Sequence, residues 1–270
     1  MIKRIGASAA LTCIAVSMLL PFFWMISTSL KSEMEVYEYP PRLLPEKVQW
    51  KNYAEALTIL PFTRFFLNTL IMAVSIVLGQ LVVCSLAAYA FARLDFPGKN
   101  QWFVVYLSTM MLPLIVLLIP RYLLVNALGW VDTYWGLILT EINSVWGIFL
   151  LRQFLSSLPR DVEDAARLDG ASEFNIYWKI ILPLAKPALA TLALFSFVWS
   201  WQSFLWPLVV TNSLEMRPVE VGIAMFHSMY QADWTYQMAA AVTVMIPTLV
   251  LFLFTQRYFV KGIALTGLKT

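Results

Sequence analysis

The residues that could carry out acid–base, nucleophilic or metal chemistry are few in this sequence of 270 residues. It holds one histidine, His227, and two cysteines, Cys13 and Cys84, which lie inside apolar runs where neither a zinc site nor a disulfide framework can be built. The nearest match to a phosphate-binding loop, Gly98-Lys99-Asn100, lacks the upstream glycine and the hydroxyl residue. We therefore expect no catalytic residue, no metal site and no cofactor in this chain.

The strongest local pattern lies in residues 156–186, between two apolar runs. Acidic residues open a helical stretch here, at the positive end of its dipole, and Gly170 interrupts it where a positive φ can redirect the chain. Ser172 can cap a second helix. Three side chains of that helix share one face: Phe174, Trp178 and Ile181. The pattern predicts two short helices, which serve either as a docking surface for another protein or as an interfacial helix on the membrane.

Glu141 is the one acid in an otherwise apolar run, residues 133–151. A charge near the centre of a membrane helix costs about 2.5–3.5 kcal/mol, so this side chain should face protein or water and not lipid. On a continuous helix it would lie about 12 Å from the loop residue Asp132, at 1.5 Å per residue. Two interpretations stay open: a place on a translocation pathway, or a structural hydrogen bond assisted by Asn143 and Ser144.

Trp201 and Gln202 are a second candidate for substrate contact. An aromatic face beside an amide suits a neutral sugar or polyol, which needs apolar stacking and hydrogen bonds together. The apolar middles of the predicted spans contain no Lys or Arg, which speaks against a dedicated clamp for anions. Packing between helices is the simpler explanation for these two residues.

Composition shows where such a chain resides. Hydrophobic residues make up 60% of it and charged residues only 13%, with a mean hydropathy of +0.72. Soluble domains are nearer half apolar and a quarter charged, and disordered chains are far more polar. The net charge of +3, without a sustained basic face, also argues against a nucleic-acid partner. The sequence is that of a membrane protein.

Apolar runs of about 20 residues, the length that a membrane-spanning helix requires, set the predicted architecture. We predict an all-α membrane protein, folded as a single transmembrane domain over residues 1–270. Its six spans are approximately residues 5–30, 65–92, 101–121, 133–151, 187–211 and 235–256. The first run is too long and too bulky at its end for a cleaved signal peptide.

The distribution of basic residues sets the predicted orientation. With the N-terminus inside, twelve of the 19 Lys and Arg residues lie on the cytoplasmic side and seven on the other. Because cytoplasmic loops carry the excess of Lys and Arg, both termini are placed in the cytoplasm. The 156–186 segment is then cytoplasmic, and the two long loops, residues 31–64 and 211–233, are external. The first of these is too rich in proline for one continuous helix.

The 156–186 segment resembles the EAA loop of ABC-importer permeases, in which Glu-Ala-Ala is followed after three residues by Gly and after nine more by Ile-x-Leu-Pro. Asp164-Ala165-Ala166, Gly170 and Ile180-Ile181-Leu182-Pro183 stand at that spacing, with Asp164 in place of the usual Glu. Strings along most of the chain, such as Ala87–Ala92 and the tail Gln256–Gly262, are similar to the carbohydrate-uptake, MalG-type branch.

The resemblance implies a permease subunit of an importer in a bacterial cytoplasmic (inner) membrane. Its implied partners are a second, MalF-type permease, two ATP-binding subunits that hold ATP and Mg²⁺, an external solute-binding protein, a sugar substrate and membrane lipid. The 156–186 segment would be the coupling helix between spans 4 and 5. The residues implied to contact the ATP-binding subunits are Asp164, Ala165, Ala166, Asp169, Gly170, Ile180, Leu182 and Pro183.

Two other classes fit parts of the sequence. A secondary transporter or channel subunit without ATP coupling would account for the six spans and for Glu141, but not for the EAA spacing. A membrane enzyme would need an acid–base set that the sequence lacks. Under the importer interpretation, both external loops should contact the solute-binding protein, because both are too long for simple turns.

Overall fold

The computed structural model describes residues 2–229 and 233–266, and within these ranges every regular element is helical. The all-α class predicted from hydropathy is therefore confirmed for the described part of the chain. Tyr230, in the predicted external loop 211–233, lies outside the described residues.

Helices of very different length follow one another along the chain. In order they are α1 (Ile2–Ser29), α2 (Glu33–Val36), α3 (Lys51–Ile59), α4 (Phe62–Arg93), α5 (Lys99–Ser108), α6 (Leu114–Ala127), α7 (Tyr134–Ile138), α8 (Val145–Ser156), α9 (Asp161–Leu168), α10 (Glu173–Ile176), α11 (Leu182–Leu184), α12 (Lys186–Trp201), α13 (Leu205–Val210), α14 (Val219–Met229) and α15 (Trp234–Thr266). Short 3₁₀ turns occupy Thr109–Met111 and Leu214–Met216, and a π-helical turn occupies Tyr177–Ile181.

Three helices are long and apolar enough to cross a membrane by themselves. The qualifying segments are Ala10–Ser29 in α1, Phe62–Arg93 in α4 and Trp234–Thr255 in α15. They coincide with the first, second and sixth predicted spans. Each is an apolar run whose helix satisfies most of its backbone amides internally. Pro21 in α1 and Pro247 in α15 each remove one such hydrogen bond without ending the helix.

The third predicted span, residues 101–121, is not one straight helix. α5 and α6 meet at a bend of 101°. Pro113 is the cause, because proline disfavours a helical conformation in the residue before it, and Leu112 is extended with ψ 121°. α6 then continues to Ala127, which places Arg121 inside a helix rather than at the end of a span.

The fourth predicted span, residues 133–151, is also broken. α7 ends at Ile138 and α8 begins at Val145, so Glu141 does not lie on a continuous helix and the 12 Å helical spacing from Asp132 is wrong. The break holds side chains that favour caps over helix interiors. One of them, Ser144, is the N-cap of α8 and accepts a hydrogen bond from the Gly147 amide at 3.0 Å.

The fifth predicted span, residues 187–211, ends early. α12 stops at Trp201, and the separate helix α13 begins at Leu205. Pro207 explains the interruption, since in a continuous helix its ring would clash with the Ser203 carbonyl and its missing N–H would leave that carbonyl unpaired. The described residues thus give three candidate spans, or up to five if each of two strongly bent helix pairs is one crossing; the second pair is Glu173–Leu184 with Lys186–Trp201.

The chain divides into two compact units. One comprises Met1–Phe66 and Pro218–Leu249. In its core the ring of Phe62 stacks on Phe226, with centroids 5.8 Å apart. A Cβ at Gly222 would lie 2.4 Å from the Phe65 ring, so this close approach requires glycine.

The 31–64 loop belongs to this first unit and is not one continuous helix. Before α4 begins at Phe62, its chain forms the short α2 and α3. Lys31 is buried, with its Nζ donating to the Arg42 carbonyl at 2.5 Å and lying 4.6 Å from the centroid of the Trp24 ring. The Asn52 amide donates to the carbonyls of Ser29 and Lys31, which fixes α3 against the end of α1.

The second unit comprises Leu67–Arg217 and Val250–Thr270 and contains both candidate sites. One of its apolar clusters joins the last turns of α4 to α8, α12 and the 156–186 segment; its fully buried members include Ala88, Leu151, Ile176 and Leu192. A second cluster joins α4, α6, α7 and α13.

Candidate functional site

Two short helices of the 156–186 segment meet at Gly170, as the sequence predicts. Gly170 has φ +79°, and an added Cβ would meet nothing within 4 Å. The constraint on this position is therefore the backbone conformation and not crowding. The turn is closed by the Ala171 amide, which donates to the Ala166 carbonyl at 2.9 Å, and Ser172 caps the following helix through the Asn175 amide at 3.4 Å.

The surface of α9 around this turn carries exposed apolar side chains. Leu168 is 91% exposed and Val162 52%. These apolar side chains remain in water and do not pack in the core of the unit. This surface is therefore suited to contact with another molecule.

The structure divides the eight residues that the EAA resemblance singles out. Four at the turn are exposed: Asp164, Ala165, Asp169 and Gly170. Of the others, Pro183 is exposed, and three pack partly against the core of the same unit: Ala166, Ile180 and Leu182. The first four, together with Leu168, form the turn surface.

The second half of the segment departs from the predicted helical face. A π-helical turn at Tyr177–Ile181 widens the helix by one residue, so side chains spaced for an α-helix no longer align. Phe174 and Trp178 stack on the exposed side with centroids 6.5 Å apart, whereas Ile181 is buried in the core. The expectation of one shared face for these three residues is therefore wrong.

A buried ion pair that the sequence reasoning missed lies beneath α9. Nε of Arg93, the last residue of α4, is 3.0 Å from the Glu163 carboxylate, and both side chains are almost fully buried. The N–H does not point at the oxygen, so this is a close charge pair and not an aligned hydrogen bond. Nη2 of Arg93 donates to the Leu158 carbonyl at 2.9 Å. The only sequence signal is a lone Arg closing a long apolar run.

Arg167 connects the two sides of the Gly170 turn. Its guanidinium donates to Asp164 and to Glu173, each at 2.8 Å, and Nη2 lies 3.5 Å from Glu163. Glu173 also accepts from the Tyr89 hydroxyl at 2.6 Å. The Arg167 hydrogen bond, followed by that of Tyr89, holds the pKa of the Glu173 carboxyl below its ordinary value, so it is charged at neutral pH.

The second candidate site surrounds Arg121. We use the name Arg121 cluster for Arg121, Thr140, Glu141 and Trp206. Nη2 of Arg121 lies 2.5 Å from the Glu141 carboxylate and donates to Thr140, and the guanidinium carbon is 3.7 Å from the centroid of the Trp206 ring. Both charged side chains keep about a quarter of their surface exposed. The sequence places Arg121 at the end of the third predicted span, whereas the structure places it in the interior of α6.

Hydrogen bonds to α4 and α5 hold the break in the fourth span in place. The Gln80 amide nitrogen donates to the Glu141 carbonyl at 2.7 Å, and its oxygen accepts from Ser196 at 2.5 Å. The Tyr106 hydroxyl donates to Asn143 at 2.6 Å. Glu141 and Asn143 are thus both in polar contact, but with different partners.

Trp201 and Gln202 do not form a joint binding surface. Trp201 is only 3% exposed and stacks on Phe197 with centroids 5.4 Å apart, whereas Gln202, just beyond α12, is exposed. Trp201 is therefore buried, and its stacking partner Phe197 belongs to the same helix, α12.

Asp132 joins the 128–133 loop to the 211–213 loop. It adopts φ +59°, a conformation that Asp tolerates better than most residues, and its carboxylate accepts from the amides of Asn212 and Ser213 at 2.9 and 3.0 Å. Although burial raises its pKa, these hydrogen bonds outweigh that effect and hold the pKa of Asp132 below its ordinary value.

Over the described ranges, no group of three or more His, Cys, Asp and Glu side chains is arranged to hold a metal ion. His227 lies edge-on to the Trp234 ring, with centroids 5.7 Å apart, in an aromatic contact.

Comparison with known proteins gives a consistent assignment. The family of inner membrane components of binding-protein-dependent transport systems matches residues 80–265. The arabinooligosaccharides transport system permease protein AraQ of Bacillus subtilis (strain 168) is 33% identical over 273 residues, 99% of this chain and 96% of that protein. The sn-glycerol-3-phosphate transport system permease protein UgpE of Rhizobium meliloti (strain 1021) is 33% identical over 91% of this chain and 90% of its own length.

A solved structure agrees with these relatives. It is that of a bacterial ABC transporter involved in the import of the acidic polysaccharide alginate, and one of its chains superposes with a TM-score of 0.84 at 26% identity over 96% of both chains. This chain belongs to the family of binding-protein-dependent transport system inner membrane components, and is a multi-pass permease of that family.

Proposed function

We propose that this chain is the permease subunit of an ATP-driven importer, and that it forms the translocation pathway for a sugar or sugar-like polyol with a second, MalF-type permease. Two ATP-binding subunits would hold ATP and Mg²⁺, and an external solute-binding protein would deliver the substrate. Family membership supports this assignment over the channel or secondary-transporter alternative. The chain itself would be non-catalytic.

The observation that carries the proposal is the exposed turn at Gly170. A groove of the ATP-binding subunit would receive the turn surface: Asp164, Ala165, Leu168, Asp169 and Gly170. Leu168, 91% exposed, would supply the apolar anchor, and burying such a side chain stabilises an interface by about 1.5–3 kcal/mol. Arg167 already pairs with Asp164, so the exposed carboxylate most available to a basic partner residue is that of Asp169.

We further propose that all six crossings exist, with both termini in the cytoplasm. In that arrangement α5–α6, α7–α8 and α12–α13 are broken crossings. Backbone that is not helical is tolerated at membrane depth only where it lies within protein or lines a water-filled cavity. The breaks after Met111, Ile138 and Trp201 therefore favour a position on the pathway, with the 156–186 segment on the side of the ATP-binding subunits.

The Arg121 cluster would lie on that pathway. Its two charges neutralise each other and keep about a quarter of their side chains exposed to offer donor and acceptor groups, while Trp206 is buried beneath the guanidinium. This chemistry suits a neutral sugar, in keeping with the arabinooligosaccharides in the name of one relative. Other relatives are named for an anionic polyol phosphate and an acidic polysaccharide, so the sugar-like class is the common element.

The test is transport by the reconstituted complex. Proteoliposomes containing this chain, its partner permease and the ATP-binding subunits are given the solute-binding protein outside and ATP inside. We expect uptake of a labelled neutral oligosaccharide only when ATP and the binding protein are both present, with sn-glycerol 3-phosphate as the anionic comparison. Uptake that does not depend on ATP, or ATP hydrolysis by this chain purified alone, would refute the assignment.

A further inference from the structure

The cytoplasmic end of α4 is attached to the 156–186 segment on both sides of the Gly170 turn. On the α9 side the attachment is the buried ion pair between Arg93 and Glu163. On the other side it is the hydrogen bond from Tyr89 to Glu173, and the Tyr89 ring also packs against Tyr177 with centroids 5.4 Å apart.

The two attachments differ in how freely they can be broken. The carboxylate of Glu173 is exposed, so water can replace the Tyr89 hydroxyl as its partner. Glu163 is 1% exposed and Arg93 5%. Separating them without solvent would leave the Arg93 charge uncompensated in the core and leave Glu163 with only Arg167, 3.5 Å away, so the pair opens only if the packing around it opens as well.

The side chains of the two adjacent acidic residues of α9 therefore point in different directions. Asp164 faces outward with 62% of its side chain exposed, whereas Glu163 faces Arg93 of the same chain. An ATP-binding subunit docked on the turn surface would meet Asp164 and not Glu163. The charge of Glu163 therefore pairs with arginines of the same chain. The proposed contact with the ATP-binding subunit does not explain why this residue is charged.

We propose that Arg93 and Glu163 are positioning residues that fix α9 to the end of α4, so that the Gly170 turn and α4 move as one rigid body when the partner subunits bind ATP. The inference rests on the proposed function, because it assigns a carrier for the motion that those subunits would impose on the turn. α4 continues from Arg93 into the membrane without a break and reaches Gln80, which holds the Glu141 carbonyl. The chain of contacts thus runs from the turn to the Arg121 cluster.

Spin-label distances in the assembled complex test this inference. Labels are placed at Leu78 and at Asp161, the first residue of α9, both exposed, with Cys13 and Cys84 replaced by serine. Leu78 lies about 22 Å along α4 from Arg93, at 1.5 Å per residue, a separation that suits pulsed EPR. We expect one narrow distance distribution that is unchanged between the nucleotide-free complex and the complex trapped with ATP and vanadate.

The variant Glu163→Gln leaves Arg93 without its counter-charge and should broaden this distance distribution. The ratio of binding-protein-stimulated to basal ATP hydrolysis should decrease about tenfold. Asp95→Asn is the matched control, because Asp95 lies two residues beyond Arg93 in an exposed pair with Lys99. It should change neither readout. The double variant Arg93→Met/Glu163→Met replaces the charges by apolar contact and should restore a narrow distribution.

A wild-type distance that changes on trapping would overturn the rigid-body proposal, as would an unchanged distribution in Glu163→Gln. If Glu163→Gln lowers only the yield of complex, the pair is merely structural and the proposal is also wrong. Failure of the proposed function would look different, because ATP-binding subunits would then not be recovered with the wild-type chain.

Discussion

Arg121 and Glu141 form an ion pair of 2.5 Å between two segments of the second unit that hydropathy alone marks as apolar. The pair joins the interior of α6 to the break between α7 and α8, and Trp206 covers the guanidinium from a third helix. Each charge compensates the other, which explains how both can lie in segments that are otherwise apolar.

Removing one charge of this pair should impair transport without preventing assembly. Glu141→Gln leaves Arg121 partly buried and unpaired, at a cost between that of an exposed pair and that of a buried one, about 1–2 kcal/mol. If that cost falls on the transport step, uptake of a neutral sugar should decrease about fivefold to thirtyfold. Uptake by reconstituted complexes, at equal recovery of all subunits, is the measurement.

The double variant Arg121→Gln/Glu141→Gln is the control for that prediction. It removes both charges and should recover most of the uptake, because no uncompensated charge remains. Normal uptake by Glu141→Gln alone would exclude a functional role for the pair, and loss of assembly would show that it is structural.

Strain at Gly170 should lower transport and stimulated ATP hydrolysis together. Gly170→Val places a β-branched residue at φ +79°, which costs about 1–2 kcal/mol although the Cβ itself meets no atom. Because the spans do not depend on this turn, the complex should still assemble. Uptake and binding-protein-stimulated ATP hydrolysis should both decrease at least threefold.

Gly129→Val provides a control with the same kind of strain elsewhere. Gly129 has φ +68° and also has nothing within 4 Å of an added Cβ. The Gly129→Val variant should lower the stability of the complex to a similar extent. It should leave the ratio of stimulated to basal ATP hydrolysis unchanged. Equal effects of the two variants would show that backbone strain, and not the Gly170 turn, is responsible.

The pH dependence of the loop contact at Asp132 follows from the direction of its pKa. Because the folded-state pKa is depressed, the stabilisation is present above the ordinary value of 3.8 and is lost as the pH falls through the lower, folded-state value. Asp132→Asn should therefore lower stability by about 1 kcal/mol, equally at pH 8 and pH 5, with the difference disappearing only at strongly acid pH. Thermal unfolding of the purified complex at several pH values checks this. A difference that changes between pH 8 and 5 would contradict the assignment.

The external loops should contact the solute-binding protein. A photo-crosslinking residue at Trp234, the first residue of α15, or at Tyr230 should capture that protein in intact cells. The same residue placed at Leu168 should capture an ATP-binding subunit instead. Capture of a cytoplasmic protein from Trp234 would overturn the proposed orientation.

Sequence reasoning located the long helices because hydropathy measures what decides them, an apolar run as long as the membrane is thick. It missed the breaks at Pro113 and Pro207, where a single residue interrupts a run whose average hydropathy remains high. It placed Gly170 correctly because glycine is the residue that a left-handed turn prefers. Counting charges along each run placed Arg121 at a boundary, just after Pro120, and so hid its pairing with Glu141.

The buried pair beneath α9 was not predictable by the same means. Arg93 and Glu163 are far apart in the sequence, and nothing local distinguishes Glu163 from the exposed Asp164 beside it. Only the packing of α9 on α4 determines which of the two acids faces inward.

The most direct test of the central claim, that the Gly170 turn docks on an ATP-binding subunit, is disulfide crosslinking from α9. Ala166→Cys is the variant that the sequence suggests, but Ala166 packs partly into the core, whereas Ala165 is exposed. With Cys13 and Cys84 replaced by serine, Ala165→Cys should crosslink to a cysteine in the docking groove of the ATP-binding subunit, and Ala166→Cys should do so less efficiently. If Ala165→Cys never crosslinks in a complex that hydrolyses ATP and transports, the 156–186 segment is an interfacial helix and the account of coupling is wrong.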